Sequence, residues 1–128
     1  MSVPDNLHYS EDHEWAKVEG DLIRVGITDY AQHQLGDVVY VELPQKGDSF
    51  EFMGAFGVIE SVKAASDLYC PIAGTVVDVN TELEDAPELV NEAPYADGWM
   101  IVVQPDDPAD MDKLMSPADY AAMLEAEE

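Results

Sequence analysis

Lys63 is the residue whose type and setting best suit covalent chemistry in this chain. It is one of only five Lys or Arg residues, which stand against 28 Asp or Glu residues. The segment 56–60 before it alternates like a strand, and the segment 67–70 after it is a second extended run ended by Pro71. A lysine between two short strands would lie at the tip of a hairpin, where a modifying enzyme can reach its amine. An ordinary exposed turn lysine is the alternative that this pattern alone leaves open.

The rest of the chain matches no known catalytic or metal-binding pattern. It contains no phosphate-binding glycine loop, no Gly-x-Ser-x-Gly elbow and no His-Glu-x-x-His motif. The spacings of His8, His13 and His33 fit no metal-ligand pattern, so we expect no metal site. Cys70 lies among apolar residues, which suits a buried, inert thiol, and a single cysteine excludes an internal disulfide. A modifiable lysine without catalytic residues predicts a carrier and not an enzyme.

Length and charge restrict the kind of protein and its partners. The 128 residues fit one domain, which we place at 1–128 with a core over about 7–104 and a C-terminal helix over about 116–126. Hydrophobic residues make up 47% of the chain, so its formal charge of −23 belongs to the surface of a globular protein. That charge argues against nucleic acid or an anionic membrane as a partner and favours partners with basic docking faces. The alternative explanation is that the negative charge serves only to keep the protein soluble.

We expect a monomeric cytoplasmic protein of bacterial type. The first residues lack the basic and apolar regions of a signal peptide and the Arg-rich character of a transit peptide. Apolar runs stay well short of the roughly 20 residues that span a bilayer.

The pattern along the chain is mainly that of short strands. Thr28 suits the N-cap of a short helix that Gly36 ends, and Ser116 suits the N-cap of a C-terminal helix with one apolar face. A Gly-x-Val-Val-x-Val repeat occurs at 36–41 and 74–79, which would place two similar strand layers around a shared core. The predicted strands are 15–18, 22–27, 38–43, 56–60, 75–79 and 99–103, with a short helical or irregular crossing at 82–90.

Several blocks resemble one known family in the same order. Glu60-Ser61-Val62-Lys63-Ala64 is similar to the lipoylation site of the glycine cleavage H-protein family. The resemblance runs from about Leu7 to Leu124. The other similar blocks are residues 13–15, 25–32, 35–44, 66–69, 71–74, 87–91, 94–95 and 98–100.

This resemblance implies a fold, a cofactor and partners. The fold would be mainly β, a lipoyl- or biotinyl-type sandwich of two antiparallel sheets with short helices and a C-terminal helix. Lys63 would carry lipoate in amide linkage, attached by an octanoyl- or lipoyl-transferring enzyme or a lipoate ligase. The arm would take the aminomethyl group of glycine from the pyridoxal-phosphate decarboxylase to the tetrahydrofolate-dependent aminomethyltransferase. Dihydrolipoamide dehydrogenase would then reoxidise it.

Three acidic residues are candidates for contacts around the lysine and its arm. Glu60 and Asp67 flank Lys63, so they could orient its ammonium before acylation or contact a basic enzyme face. Glu14 and Asp67 could contact the protonated aminomethyl amine when the loaded arm folds back, with Trp15 as a wall of the groove. The alternative is that these residues are ordinary solvated acids of a very acidic protein.

Other carriers and a non-carrier fit parts of the pattern. A biotinyl carrier has a similar hairpin but usually places Met on both sides of its lysine, whereas the neighbours here are Val62 and Ala64. A lipoyl domain of a 2-oxoacid dehydrogenase would normally be tethered to a large acyltransferase. An unmodified acidic adaptor is the third alternative, and the intact mass would separate all three.

Overall fold

The computed structural model describes residues 2–127, which form a largely β protein with a few short helices. One 3-10 helix, Pro108–Lys113, lies between the last strand and the last α-helix. The strands are β1 (His8–Tyr9), β2 (Glu14–Glu19), β3 (Leu22–Ile27), β4 (Val38–Glu42), β5 (Ser49–Phe50), β6 (Ala55–Ser61), β7 (Ala65–Tyr69), β8 (Gly74–Val79) and β9 (Ile101–Pro105), and the α-helices are α1 (Asp29–Leu35), α2 (Glu82–Asp85), α3 (Leu89–Glu92) and α4 (Pro117–Glu127).

The strands form two antiparallel sheets. The larger sheet has the order β1-β2-β3-β9-β8-β5 and the smaller one the order β4-β6-β7. The two copies of the Gly-x-Val-Val-x-Val repeat supply β4 and β8, which lie in different sheets. Buried side chains of both sheets, among them Val25, Val41, Ile59 and Val76, form one hydrophobic core. The predicted fold class, two antiparallel sheets with short helices and a C-terminal helix, is confirmed.

Local sequence chemistry explains the first hairpin and the first helix. Gly20 adopts φ 65° in the turn between β2 and β3, a conformation that glycine reaches without steric cost. The Thr28 hydroxyl accepts a hydrogen bond from the backbone N–H of Ala31 at 3.2 Å, as expected of an N-cap. Gly36 ends α1 with φ 78°. The predicted N-cap and helix end are both confirmed.

The last third of the chain differs in detail from the prediction. Strand β9 covers Ile101–Pro105 and not 99–103. The Trp99 carbonyl accepts from the side chain of Asn80 at 2.7 Å. The 3-10 helix was also not predicted, although the Asp107 carboxylate caps it by accepting from the N–H of Ala109 at 3.0 Å.

Helix α4 packs on the edge of the larger sheet. Ser116 caps it, because its hydroxyl accepts from the N–H of Asp119 at 3.1 Å. Tyr120 stacks on Tyr9 of β1 with ring centroids 4.5 Å apart. Together with Trp15 and Leu124 these rings belong to a second hydrophobic cluster, so the apolar face of α4 contacts the sheet as predicted.

Candidate functional site

Lys63 lies in the tight turn that joins β6 to β7. The last cross-strand pair is Glu60 with Ala65, and the N–H of Ser61 donates to the carbonyl of Ala64 at 2.8 Å. The Ser61 hydroxyl oxygen accepts from the N–H groups of Lys63 and Ala64, each at 3.2 Å. A side chain that satisfies the turn's own N–H groups stabilises it locally. The hairpin predicted around Lys63 is confirmed, and the lysine is exposed at its tip.

The tip of this hairpin contacts the segment between α1 and β4. The N–H of Val62 donates to the carbonyl of Asp37 at 3.1 Å. The Lys63 side chain crosses Gly36, where a Cβ atom would lie 3.3 Å from Lys63 Cε. The missing side chain at Gly36 therefore lets the aliphatic part of the lysine lie on the backbone.

A groove begins next to this position. Its volume is about 250 Å³, and Leu35, the neighbour of Gly36, is among the residues that form its wall. Ile59 and Leu68 are apolar parts of the lining, while Glu14 and Asp67 supply carboxyl groups. The structure thus brings the two acidic residues predicted to contact the arm into one groove adjacent to the hairpin.

Glu14 is a buried acid within this groove. Its side chain is only 2% exposed. The Ser10 hydroxyl donates to Oε1 at 2.5 Å, and the backbone N–H of Tyr69 lies 3.4 Å from Oε2. Burial raises the pKa of the Glu14 carboxyl to about 8, although the Ser10 hydrogen bond acts in the opposite direction. The carboxyl is therefore mainly protonated at neutral pH, and a cation beside it would favour ionisation.

The remaining predicted residues lie outside the groove. Glu60 is exposed on the outer part of the hairpin and opposite Tyr40 of β4. Trp15 is fully buried in the second hydrophobic cluster, where its indole N–H donates to the Pro94 carbonyl at 2.9 Å. Successive side chains of a strand point to opposite faces, so Trp15 faces away from Glu14. The prediction that Trp15 forms a wall of the groove was wrong.

The sequence analysis missed several residues of the groove. Tyr30 and Gln34, and likewise Ala31 and Leu35, are four residues apart on α1, and all four line the groove. Such a spacing places residues on one face of a helix and could have identified them. Ser10, the hydrogen-bond partner of Glu14, gave no comparable signal.

The structure also shows the surroundings of His13 and Cys70. His13 Nδ1 lies 2.8 Å from the hydroxyl of Tyr120. Within residues 2–127 there is no group of three or more His, Cys, Asp or Glu residues that could hold a metal ion. Cys70 is fully buried, and burial raises the pKa of its thiol to about 11, which agrees with the inert thiol that we predicted. None of the described helices is long and apolar enough to cross a membrane.

Two antiparallel sheets with a lysine at the tip of a hairpin define a carrier domain of the lipoyl or biotinyl type. A sequence model of the family described as Glycine cleavage H-protein matches residues 7–127. A glycine cleavage system H protein from Halalkalibacterium halodurans is 55% identical over 126 residues, which cover 98% of each chain. One from Anaeromyxobacter sp. (strain K) is 54% identical over 128 residues, the full length of both chains.

A solved structure agrees with the sequence matches. The crystal structure of a glycine cleavage system H protein from Mycobacterium marinum superposes with a TM-score of 0.88 and 36% identity, covering 96% of this chain and 99% of that one. The chain belongs to the glycine cleavage H-protein family. It is therefore a lipoyl-carrier component of the glycine cleavage system and not itself an enzyme, and membership of that system implies partner enzymes.

Proposed function

We propose that Lys63 is the residue of this carrier to which lipoate is attached in amide linkage. The observation that carries the proposal is the position of Lys63, exposed at a hairpin tip and next to a groove. Its surroundings fit the group: Ala64 and Ala65 are small and exposed, so they leave the approach to Nζ open. When bound, the lipoyl dithiolane supplies the disulfide and dithiol chemistry of the cycle, and acylation removes the charge of the lysine.

We further propose which enzymes this chain meets. They are the pyridoxal-phosphate glycine decarboxylase, the tetrahydrofolate-dependent aminomethyltransferase, dihydrolipoamide dehydrogenase, and a lipoyl- or octanoyl-transferring enzyme or lipoate ligase. A group on a flexible arm visits several active sites at high effective concentration. Glu60 is exposed beside Lys63 and can contact a basic enzyme face. Its position outside the groove separates this role from those of Glu14 and Asp67.

In our proposal the groove holds the protonated amine at the end of the loaded arm. Glu14 and Asp67 both line it, and a charge-assisted contact with a carboxylate is stronger than one between neutral groups. The apolar lining, including Ile59 and Leu68, would keep water from the rest of the arm. Lys63 lies over Gly36, next to Leu35 at the groove wall, so an arm attached there can fold back into it.

The intact mass and a pair of lysine variants test the attachment site. We expect a lipoyl increment that peptide mapping places on Lys63. Lys63→Arg should abolish glycine decarboxylation and glycine–bicarbonate exchange, because arginine keeps the charge but cannot form this amide. Lys46→Arg is the matched control, since Lys46 also lies in an exposed turn with its side chain 70% accessible.

The outcomes of this test differ between the alternatives. A biotinyl increment would indicate the biotinyl carrier, and no increment after exposure to a ligase would indicate the unmodified adaptor. Activity retained by Lys63→Arg would exclude Lys63 as the attachment site.

We also propose that residues 1–128 form a single domain that acts as a cytoplasmic monomer. The smaller sheet shares its core with the larger one, and α4 packs on β1 of the larger sheet. The single thiol of Cys70, buried and unpaired, is compatible with a reducing compartment.

A further inference from the structure

Three exposed apolar side chains lie beside the Lys63 turn. Val39 is 53% exposed, Tyr40 50% and Val62 69%, and together they make up three of the five large hydrophobic residues most exposed within residues 2–127. Val39 and Tyr40 are on β4, and Val62 directly precedes Lys63. We call these three residues the β4 patch. Single exposed hydrophobics are ordinary, but a group of them next to a functional residue indicates an interaction site.

A β-bulge explains why the patch is exposed. Val38 and Val41 are buried at 4% and 3%, whereas both residues between them face solvent. The register of β4 against β6 shifts between Val38 and Tyr40. One extra residue in a strand breaks the alternation of its side chains, so two successive residues can face outward. The structure therefore exposes two successive apolar residues in the predicted strand 38–43.

The patch is connected to Lys63 through the backbone. The hydrogen bond from Val62 to the carbonyl of Asp37 joins the turn to the residue before β4. The Lys63 side chain lies over the preceding residue, Gly36. Strand β4 is also an edge of the smaller sheet, because β6 is its one neighbour there.

Acidic residues surround the patch. Asp37, Glu42 and Glu60 are all exposed. In the described part of the chain the ion pairs use Glu19, Asp78 and Asp110, and none uses these three carboxylates. The face beside Lys63 thus has an apolar centre and an unneutralised acidic rim, which is complementary to an apolar pocket flanked by Lys or Arg.

We propose that the β4 patch is the docking surface for the enzyme that acylates Lys63. The inference rests on the proposed role of Lys63. Before acylation there is no long arm, so the active site must come within bonding distance of Nζ and its surface must contact the residues beside the lysine. Enzymes that act on the end of the finished arm can reach it without covering this surface.

The reaction sets the geometry that docking must provide. The enzyme forms an acyl adenylate from lipoate and ATP, with release of pyrophosphate, and the neutral Nζ amine of Lys63 attacks its acyl carbonyl. The N–C amide bond forms, the bond between the acyl carbon and the phosphate oxygen breaks, AMP leaves with that electron pair, and Nζ gives up one proton to solvent. The amine must therefore lie at the acyl carbonyl while the patch is in contact with the enzyme surface.

Acylation kinetics of patch variants test the proposal. The full chain without lipoate is the substrate of a lipoate ligase with ATP and lipoate, and the initial rate is measured against carrier concentration. For the double variant Val39→Thr/Tyr40→Thr we expect KM to rise about tenfold or more with kcat within about twofold, because buried aromatic anchors dominate interface energies. Threonine keeps a strong preference for strands.

A matched control and a second variant make the result interpretable. Val18→Thr changes a residue of β2 in the other sheet that is also 53% exposed, and it should leave KM unchanged. Val62 lies in the turn and outside the strands, so Val62→Thr tests the patch even if the double variant folds poorly. Thermal unfolding followed by circular dichroism checks the fold of all three.

Four results would overturn the proposal. Unchanged KM in both patch variants would show that the patch does not dock the enzyme. A fall in kcat at unchanged KM would assign these residues to positioning of the hairpin. An equal rise in the KM of pre-lipoylated variants for glycine decarboxylase would assign the patch to docking in general. Failure of the wild-type chain to be acylated at Lys63 would overturn the attachment site as well.

Discussion

At the scale of single residues, Glu14 shows how the groove can be prepared for a cation. A carboxyl group that is 2% exposed avoids the cost of a buried charge by keeping its proton, since burial raises its pKa to about 8. The Ser10 hydroxyl and the Tyr69 N–H can both donate to the ionised form. The groove therefore holds a neutral acid that can become a carboxylate when an ammonium group arrives.

The raised pKa of Glu14 predicts a specific dependence of stability on pH. The unfolded chain releases this proton near the ordinary value of 4.5, while the folded protein keeps it up to about 8. Between these values the folded state binds more protons, so the free energy of unfolding should fall as pH rises, by at most about 1.4 kcal/mol per pH unit. Above the higher value the effect should level off.

Denaturant unfolding of Glu14→Gln checks this prediction. Wild type minus variant should give a difference in unfolding free energy that declines between the two pKa values and is constant above the higher one. Glu60→Gln, which removes an exposed carboxyl group outside the groove, is the matched control. A profile for Glu14→Gln that runs parallel to that of wild type would contradict the raised pKa.

The two groove acids should also protect the loaded arm. If Glu14 and Asp67 accept from the amine, Glu14→Gln and Asp67→Asn should each shorten the half-life of the loaded form by roughly tenfold, because a charge-assisted contact is lost. The half-life is measured by mass spectrometry after the decarboxylase has been removed. The rate of lipoylation at Lys63 should not change.

Glu60→Gln serves again as the control, because Glu60 does not line the groove. Half-lives equal to wild type in both single variants and in the double variant would mean that the arm swings freely throughout.

At the scale of elements, those with strong local signals were predicted correctly. The β2–β3 turn, the N-cap of α1 and the hairpin at Lys63 each depend on residues within a few positions of one another. Gly20 at φ 65°, Thr28 bonded to the N–H of Ala31, and Ser61 bonded within its own turn are the structural forms of those signals. Such contacts are visible in a sequence because their partners are neighbours.

Elements that depend on distant partners were not predicted. The two-residue strand β1 exists because it pairs with β2, and Tyr9 also exchanges backbone hydrogen bonds with Met115 at 3.0 and 2.7 Å. Strand β5 likewise pairs with β8, where Ser49 lies opposite Thr75. The shape of the groove also depends on distant partners, because the Tyr69 N–H that approaches Glu14 is 55 residues away in the chain, although Glu14 and Asp67 themselves were expected there. No local pattern carries that information.

The bulge in β4 belongs to this second class. A run of Val, Tyr and Glu residues after Gly36 predicts a strand but not the shift in its register against β6. The exposure of Val39 and Tyr40 depends on this shift. Lys63 could therefore be identified from the sequence, whereas the apolar surface beside it could not.

Helix α4 connects the far end of the chain to the groove. The Tyr120 hydroxyl lies 2.7 Å from Thr28 Oγ1 and 2.8 Å from His13 Nδ1, and His13 lines the groove. His13 has φ 71°, a conformation that non-glycine residues seldom adopt unless neighbouring contacts hold it. The C-terminal helix therefore contributes to the shape of the groove as well as to the hydrophobic core.

At the scale of the whole molecule, the charge of −23 is the dominant feature. Within the described residues the ion pairs use four of the five basic side chains: Lys17 and Arg24 both lie close to Glu19, at 3.6 and 2.9 Å, Lys46 lies 3.8 Å from Asp78, and Lys113 lies 3.0 Å from Asp110. The smaller sheet presents Asp37, Glu42 and Glu60 without such pairing in the described residues. Partners with basic faces would be attracted to the side of the molecule that carries Lys63.

Association with the partner enzymes should therefore be steered by charge. We expect the association rate constant with glycine decarboxylase to fall about tenfold between low and physiological ionic strength, while the dissociation rate changes less. Stopped-flow measurements across a salt series give both constants. A variant in which Glu82 and Glu84 become Gln and Asp85 becomes Asn should show a shallower slope, because it removes three exposed charges from α2, which packs against β4. An association rate constant that stays flat across the series would mean that the acidic surface serves solubility alone.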